Sequence, residues 1–254
     1  MASPDPIDAL LGAALRAEPA PWPEAWSSDA AEAALLEHAD YHGVASLVLP
    51  AAAEWPAPVR EALRSRAMLR AAWELQHRAR LLALLAELEA RGAASLFLKG
   101  TALAYSVYDQ PAQRQRADSD LLVAKSDIEA ARAALAAAGF ARPEADAQAS
   151  GALQESWTVV EAGFHHTIDL HWAVFNTPRL AAVLPAEACL AAAVPLPALA
   201  PTARMLEPAQ FLLHLCVHRN LHRTAPYFSG GRAWFGADRL IWAKDIALLA
   251  ARFD

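Results

Sequence analysis

The segment FLKGTALAYSVYDQPAQRQRADSDLLV, from Phe97 to Val123, decides the fold. A short apolar run at its start predicts a buried strand from Ala94 to Leu98. Thr101 to Tyr108 then has the pattern of a helix, and Asp109 to Ala117 that of a polar loop. The apolar run from Asp118 to Val123 predicts a second strand.

Apolar periodicity predicts further helices on both sides of these strands, at Ile7 to Arg16, Asp29 to Asp40, Ser126 to Ala138, Pro208 to His222 and Asp238 to Phe253. Ser28 or Asp29 is expected to cap the second of these helices, and Ser126 the third. Loops are predicted at Glu144 to Gly151 and at the glycine-rich Ser229 to Gly231.

Three aspartates mark the predicted strands. Asp118 and Asp120 are separated by one residue, so on a strand both side chains point to the same side. Further along, the pattern predicts two strands joined by a short turn, at Ser156 to Glu161 and at Phe164 to Phe175. The second of these strands carries Asp169. Carboxylates on adjacent strands are suited to one or two Mg²⁺ or Mn²⁺ ions. The alternative is a pair of surface carboxylates at the start of a strand.

The turn after the first strand has the features of a phosphate site. Gly100 would let a phosphate group approach the backbone, and the N–H groups at the start of the next helix favour an anion. Lys99 and Thr101 flank this glycine as a positive charge and a hydroxyl donor. A phosphate turn beside metal-binding carboxylates predicts a nucleoside triphosphate as ligand.

Four segments resemble one known family, the bacterial uncharacterised nucleotidyltransferases of the DNA polymerase β-like superfamily. They are Phe97 to Val123, TIDLHW at Thr167 to Trp172, EPAQFLLHLCVHRNLH at Glu207 to His222, and RLIWAKDIALL at Arg239 to Leu249. The resemblance spans about residues 60 to 252. It implies that Asp118 and Asp120 are the metal-binding pair of this family and that Asp169 is its third carboxylate.

The resemblance also assigns residues to the nucleotide. Gly100 and Thr101 match the family's turn, with Lys99 in front of them, and Arg114 matches an arginine able to bind triphosphate oxygens bidentately. The chain departs from the family at Ser119, where an apolar residue is common. It also ends sooner after the last helix than family members usually do, which raises the prospect of a truncated member.

Histidines provide further candidates. His171 shares a strand face with Asp169, where it either orients that carboxylate, contacts the nucleotide or is a satisfied strand histidine. His214, His218 and His222 recur at intervals of four on one helix. Three alternatives are open for them: a metal site, a lining of the nucleotide cleft, or a buried helix face.

The residues and the resemblance together predict an enzyme, an Mg²⁺-dependent nucleotidyltransferase. It would move a nucleoside monophosphate from an NTP, with ATP expected, to an unidentified acceptor, which is a small molecule, a peptide or a protein. One alternative is a non-catalytic nucleotide-binding or antitoxin-like regulatory module on the same fold. Another is a helical interaction scaffold in which the paired aspartates are incidental.

The predicted fold class is α+β, with a small mixed β-sheet as the nucleotidyltransferase core and helical segments on both sides. We expect an N-terminal helical region at 1–91, the core at 92–176 and a C-terminal helical region at 177–254. The longest predicted helix, Val59 to Arg91, includes Leu63, Met68, Leu75 and Leu81 among its apolar positions. This pattern is typical of a packed helical cap or a dimer face.

Composition narrows the classes of protein. The chain has 254 residues, a net charge of −6 and two cysteines, and it lacks a long uncharged apolar stretch or a secretory signal at its start. These features predict a cytoplasmic protein without a membrane partner. The acidic balance, with a pI near 5.8, argues against nucleic acid. The oligomeric state is left open.

Overall fold

Helices surround a central mixed sheet in the computed structural model, which describes residues 5–26, 28–143, 153–222, 227–229, 232–234 and 238–253. The α-helices are α1 Pro6–Leu15, α2 Asp29–His42, α3 Ala45–Val48, α4 Ala57–Ala90, α5 Lys99–Ser106, α6 Ile128–Ala137, α7 Pro178–Ala181, α8 Ala186–Ala192, α9 Pro208–His222 and α10 Leu240–Phe253. The strands are β1 Ser95–Phe97, β2 Asp118–Val123, β3 Gln154–Glu161, β4 Phe164–His171, β5 Val194–Pro195, β6 Arg204–Met205, β7 Tyr227–Ser229 and β8 Arg232–Trp234. The predicted α+β class is confirmed.

The sheet brings distant parts of the chain together in the order β3-β4-β2-β1-β6-β5. Strand β2 runs parallel to β4 and antiparallel to β1, while β1 runs parallel to β6. The predicted turn between β3 and β4 is confirmed: Ala162 and Gly163 both have positive φ, 46° and 83°, as a two-residue hairpin loop requires. The parallel β2–β4 pair is the part of the sheet that positions the candidate site.

Four of the described strands, β5 to β8, lie in the C-terminal region that is predicted to be mostly helical, and β7 and β8 form a separate two-stranded sheet. Strands β5 and β6 span two residues each and add to the sheet beside β1. A two-residue strand is too short to show alternation of polar and apolar residues, so its sequence carries no strand signal. Strands β1 to β4 were predicted with small errors at the ends, and β4 ends at His171 rather than at Phe175.

The predicted helices form with shifted ends. Those at Ile7 to Arg16, Asp29 to Asp40, Val59 to Arg91, Thr101 to Tyr108 and Asp238 to Phe253 correspond to α1, α2, α4, α5 and α10, and the one at Pro208 to His222 is α9. Ser28 caps α2, as predicted. By contrast, Ser126 does not cap α6, because a 3₁₀ turn at Lys125–Asp127 precedes this helix and places Asp127 at its start.

Helix α4 differs from its predicted apolar face. Leu63 and Leu81 are buried as expected, but Met68 and Leu75 are 58% and 72% exposed. Trp73, Glu74 and His77 instead occupy the buried face in the middle of this helix. Trp73 and His77 contact polar groups of the sheet, and Glu74 contacts Arg116 of the loop before β2, so hydrogen bonding rather than apolar periodicity selects the buried positions there.

Two hydrophobic clusters hold the fold. One surrounds the sheet, and it includes Leu96, Leu121 and Ile168. The other joins α1, α2, α3 and the start of α4 to α10, whose Ile241 and Trp242 belong to it. Helix α10 therefore packs on the N-terminal helices, and its Leu249 belongs to the cluster around the sheet.

Some predictions fall on parts of the chain that are not described. The predicted loop from Glu144 to Gly151 lies outside the described residues, as do Gly230 and Gly231 of the predicted glycine loop. The proposed division at residues 91 and 176 stays a prediction. Among the helices that the structure describes, none has both the length and the apolar character needed to span a membrane.

Candidate active site

The three predicted aspartates lie together in a cleft of about 480 Å³. In the parallel β2–β4 pair Asp120 is directly opposite Asp169, and Asp118 is opposite Thr167. Because alternate residues of a strand share one face, this register places Asp118, Asp120 and Asp169 on the same side of the sheet. The cleft therefore contains a concentrated negative charge on two neighbouring strands.

Asp120 is the most enclosed of the three and has two polar partners. Its Oδ1 accepts a hydrogen bond from Lys99 Nζ at 2.5 Å and lies 2.9 Å from His171 Nε2. Burial alone would raise the pKa of Asp120, but Lys99 and His171 hold it well below its usual range. This carboxylate is therefore ionised at neutral pH.

The other two carboxylates, Asp118 and Asp169, have pKa values that are raised by burial and by repulsion between the negative charges. Burial raises the pKa of Asp118, and repulsion from Asp120 and Asp169 raises it further. Burial also raises the pKa of Asp169, although Ser156 Oγ donates a hydrogen bond to Asp169 Oδ1 at 2.6 Å. Three carboxylates that share one lysine favour the binding of an additional cation.

The arrangement fits a divalent metal ion. Asp120, Asp169 and His171 each offer one ligand atom, and these atoms all lie within 4.8 Å of one another. Two carboxylates suit Mg²⁺ or Mn²⁺, and an imidazole nitrogen is better tolerated by Mn²⁺. Asp118 is not part of this group, so its role as a ligand stays a prediction. His171 contacts Asp120 directly, which places it at the candidate metal site.

The predicted phosphate turn lies at the edge of the same cleft. Lys99 begins α5 with a positive φ of 42°, and both Lys99 and Gly100 line the cleft. A Cβ atom on Gly100 would lie 3.3 Å from Arg116 Cδ and 3.5 Å from Arg114 Nη1. Glycine at this position therefore lets the loop before β2 pack against α5, in addition to leaving the backbone accessible.

Thr101 lies away from the cleft. Its hydroxyl is 2.6 Å from Ser119 Oγ, which is in turn 2.6 Å from His77 Nε2 of α4. All three side chains are buried on the face of β2 opposite the aspartates. The structure therefore does not bring Thr101 to the predicted phosphate position, because its hydroxyl joins a polar network beneath the strand.

Arg114 lines the cleft and is already paired with a buried acid. Its Nε and Nη2 donate hydrogen bonds to the Asp245 carboxylate of α10 at 2.9 Å and 2.7 Å. Tyr108 donates a third hydrogen bond to Asp245, and Arg114 Nη1 donates to the Gln115 carbonyl at 2.5 Å. The predicted contact of Arg114 with triphosphate oxygens stays a prediction, and Asp245 is a partner that sequence reasoning missed.

The histidines of α9 separate into two groups. His218 and His222 line the cleft together with Trp242 of α10. His214 instead lies in the protein interior, with its ring stacked on Phe175 at 5.2 Å between centroids. Of the three alternatives predicted for these residues, lining of the cleft is correct for His218 and His222. His214 lies instead on a buried face of the helix.

Three arginines of the cleft, Arg70, Arg116 and Arg239, were not predicted. Arg116 forms a salt bridge with Glu74 at 2.7 Å, and Tyr105 donates a hydrogen bond to the same carboxylate. Arg70 of α4 donates to the Arg116 carbonyl at 3.2 Å. Sequence spacing gives no signal for these contacts, since the chain contains arginine at most basic positions.

Comparison with known proteins agrees with the geometry of the site. A family model described as "Uncharacterised nucleotidyltransferase" matches residues 28–254, so the chain belongs to this family. It is accordingly an enzyme of the class that transfers phosphorus-containing groups, and a nucleotide is its expected substrate class. Searches of curated proteins and of solved structures found no match.

Proposed function

We propose that the protein transfers a nucleoside monophosphate from an NTP, with ATP the expected donor, to a hydroxyl group of a small molecule, peptide or protein. The observation that carries this proposal is the group of three carboxylates on β2 and β4, facing a cleft of ligand size. Family membership supports the class of reaction, and the three carboxylates support this cleft as the place where it occurs.

Asp118, Asp120 and Asp169 would hold Mg²⁺ or Mn²⁺. When bound, a divalent cation would polarise the phosphate oxygens and carry part of the charge that develops on them. Lys99 lies at the start of α5 beside Gly100, where its ammonium group provides positive charge for phosphate oxygens. His171 orients Asp120, and Ser156 orients Asp169.

The residues have separate tasks in the proposed transfer. The acceptor oxygen forms a bond to the α-phosphorus, the bond from this phosphorus to the bridging oxygen breaks, and pyrophosphate leaves. Asp169 takes the proton of the acceptor hydroxyl as a general base. Arg114 would compensate the charge of the triphosphate from the wall of the cleft, where Asp245 keeps its guanidinium in place.

We also infer that the family belongs to the DNA polymerase β-like superfamily. Support comes from a pair of aspartates separated by one residue on a strand, with a third aspartate opposite on the parallel neighbour. The helix that follows β1 begins beside these carboxylates, as the resemblance implies.

The test is pyrophosphate release from ATP and Mg²⁺ in the presence of candidate acceptors, together with the intact mass of each acceptor. We expect acceptors to gain the mass of a nucleoside monophosphate. The double substitution Asp118→Ala with Asp120→Ala should abolish both signals, whereas Asp109→Ala, at an exposed acid in the preceding loop, should leave them unchanged. Unchanged transfer by the double variant would refute the proposal. ATP binding without pyrophosphate release would favour the non-catalytic module.

A further inference from the structure

One wall of the cleft is aromatic, while most of the cleft is lined by charged and amide side chains. Leu215, His218 and His222 lie on one face of α9 at intervals of three and four residues. Trp242, in the first turn of α10, completes this wall. We refer to His218, His222 and Trp242 as the ring wall.

The rings of this wall are in mutual contact. The centroids of His218 and His222 are 4.4 Å apart, and Trp242 lies 5.7 Å from His218 and 5.8 Å from His222. These separations fall in the range of favourable aromatic pairs. Trp242 is largely covered by its neighbours, so His222, which is exposed, provides the accessible end of the wall.

The ring wall is uncharged although it lies close to the catalytic charges. Burial lowers the pKa of His218, and the positive charge of Lys99 contributes to the same decrease, which brings this pKa to about 2. Burial and the same lysine also lower the pKa of His222. Lys99, which contacts Asp120, lines the same cleft as both imidazoles.

A metal ion does not account for these histidines. Within the described ranges, the groups of three side chains with converging ligand atoms do not include His218 or His222. Neutral rings that line the cleft, with His222 exposed, instead suit a flat heteroaromatic ligand, because every nucleobase has a π face that stacks on such side chains.

We propose that the ring wall is the nucleobase subsite of the cleft, in which the base of the bound NTP stacks against His222 and His218 with Trp242 supporting them from behind. This inference rests on the proposed function, because it assigns a position to the base of the nucleotide substrate. The triphosphate then extends toward Lys99 and the carboxylates.

The experiment compares two ligands that share the phosphates and differ in the base. Isothermal titration of the full chain, with Mg²⁺ present, measures the affinity for ATP and for inorganic tripolyphosphate. We expect His222→Ala to weaken ATP about tenfold and to leave tripolyphosphate affinity unchanged. His222→Phe should retain ATP binding, because the phenyl ring preserves the stacking surface. His218→Ala, as a second variant, should reproduce the selective loss for ATP.

Leu213→Ala is the matched control, since Leu213 is exposed on the same helix and does not line the cleft. It should change neither affinity. An equal loss for ATP and tripolyphosphate in His222→Ala would overturn the proposal, as would unchanged ATP affinity in both alanine variants at the ring wall. Either of these two results would leave the proposed function of the protein unaffected. A wild-type chain that bound neither ligand would overturn both.

Discussion

Two groups of side chains in the described part of the chain each bring aspartate and histidine ligand atoms within 4.8 Å of one another. They are Asp120, Asp169 and His171 in the cleft, and Asp8, His38 and His42 between α1 and α2. By residue type and spacing both resemble metal sites. They differ in charge and in the hydrogen bonds that their atoms already make.

The cleft group has more negative charge than its neighbours compensate. Asp118 lies beside Asp120 and Asp169, and the cation Lys99 forms an ion pair with Asp120. The raised pKa values of Asp118 and Asp169, caused first by burial and then by repulsion, reflect this excess. A divalent cation would relieve it.

The helical group is already balanced. Asp8 Oδ1 lies 2.7 Å from His38 Nδ1 and 2.8 Å from His42 Nε2, so one carboxylate serves two imidazoles. The backbone N–H of Leu240 donates to the other nitrogen of His42 at 3.1 Å. This group contains a single carboxylate, and the second nitrogen of His42 already accepts a hydrogen bond. The group therefore serves to join α1, α2 and α10. Proximity of ligand types is therefore insufficient for a metal site, and unbalanced charge is the distinguishing feature.

The largest expected effect is the loss of metal binding from the cleft group alone. Asp120→Asn should remove saturable Mn²⁺ binding, measured by electron paramagnetic resonance, because it removes an ionised ligand. Asp8→Asn, which makes the same chemical change in the helical group, should bind Mn²⁺ as the wild type does. The distinction between the two groups would be wrong if Asp8→Asn lost Mn²⁺ binding and Asp120→Asn retained it.

A second prediction concerns the lysine that offsets the cleft carboxylates. Lys99→Met should lower the free energy of unfolding by about 3 kcal/mol, because it leaves buried carboxylates without their partner. Millimolar Mg²⁺ should restore part of this loss by binding the folded state. Urea denaturation with and without Mg²⁺ measures both effects, and Lys125→Met, at an exposed lysine, is the control. Equal stability of the two variants would contradict the charge argument.

A smaller effect is expected from the hydroxyl that holds Asp169. Ser156→Ala should weaken Mn²⁺ binding by about 10- to 100-fold, the usual effect of losing a group that orients a ligand. Thr158→Val, two residues along the same strand, should have no such effect. Similar Mn²⁺ affinities for the two variants would show that the hydrogen bond does not support the site.

The smallest effect is a pH dependence in the helical group. Burial opposes ionisation of Asp8, yet its histidine partners lower its pKa, so its contribution to stability exists above the unfolded value of 3.8 and is lost on acidification. The hydrogen bond to Asp8 raises the pKa of His38 above 6.5. The contribution of His38 to stability is therefore complete below pH 6.5 and is lost as the pH rises through the raised pKa.

The stability difference between wild type and Asp8→Asn should therefore be largest near pH 5, at about 0.5–1 kcal/mol, and should shrink at higher and lower pH. Denaturation at several pH values measures it. Glu61→Gln, at an exposed acid on α4, should show no such maximum. A difference that stays constant from pH 4 to pH 9 would argue against the ion pair.

Local periodicity explains which parts of the fold were predictable. Strand β2 and helix α9 formed with the predicted bounds, because an apolar run and a proline-initiated helix carry their signals within a few residues. Met68 and Leu75 were assigned by the same periodicity to an apolar face of α4, as a packed cap or a dimer face, and both are exposed. The middle of α4 faces polar groups of the sheet, and nothing in the helix itself reveals that surface.

The candidate site likewise has features that local sequence patterns predict and features that they do not. Alternation along β2 and β4 predicted that Asp118, Asp120 and Asp169 share a face, and the register confirms it. Arg114 was expected to be available to the nucleotide, but Asp245 pairs with it from 131 positions away. A contact of that kind depends on how helices pack, which no local pattern encodes.

By itself the sequence determined the α+β class, the strand that carries the paired aspartates and the family of transferases, since these depend on short-range periodicity and on a compact motif. Only the tertiary structure decided that Thr101 lies beneath the strand, that His218 and His222 face the cleft while His214 does not, and that one of two aspartate–histidine groups has unbalanced charge. These outcomes follow from contacts between distant segments, whose burial and electrostatic balance exist only once the chain has folded.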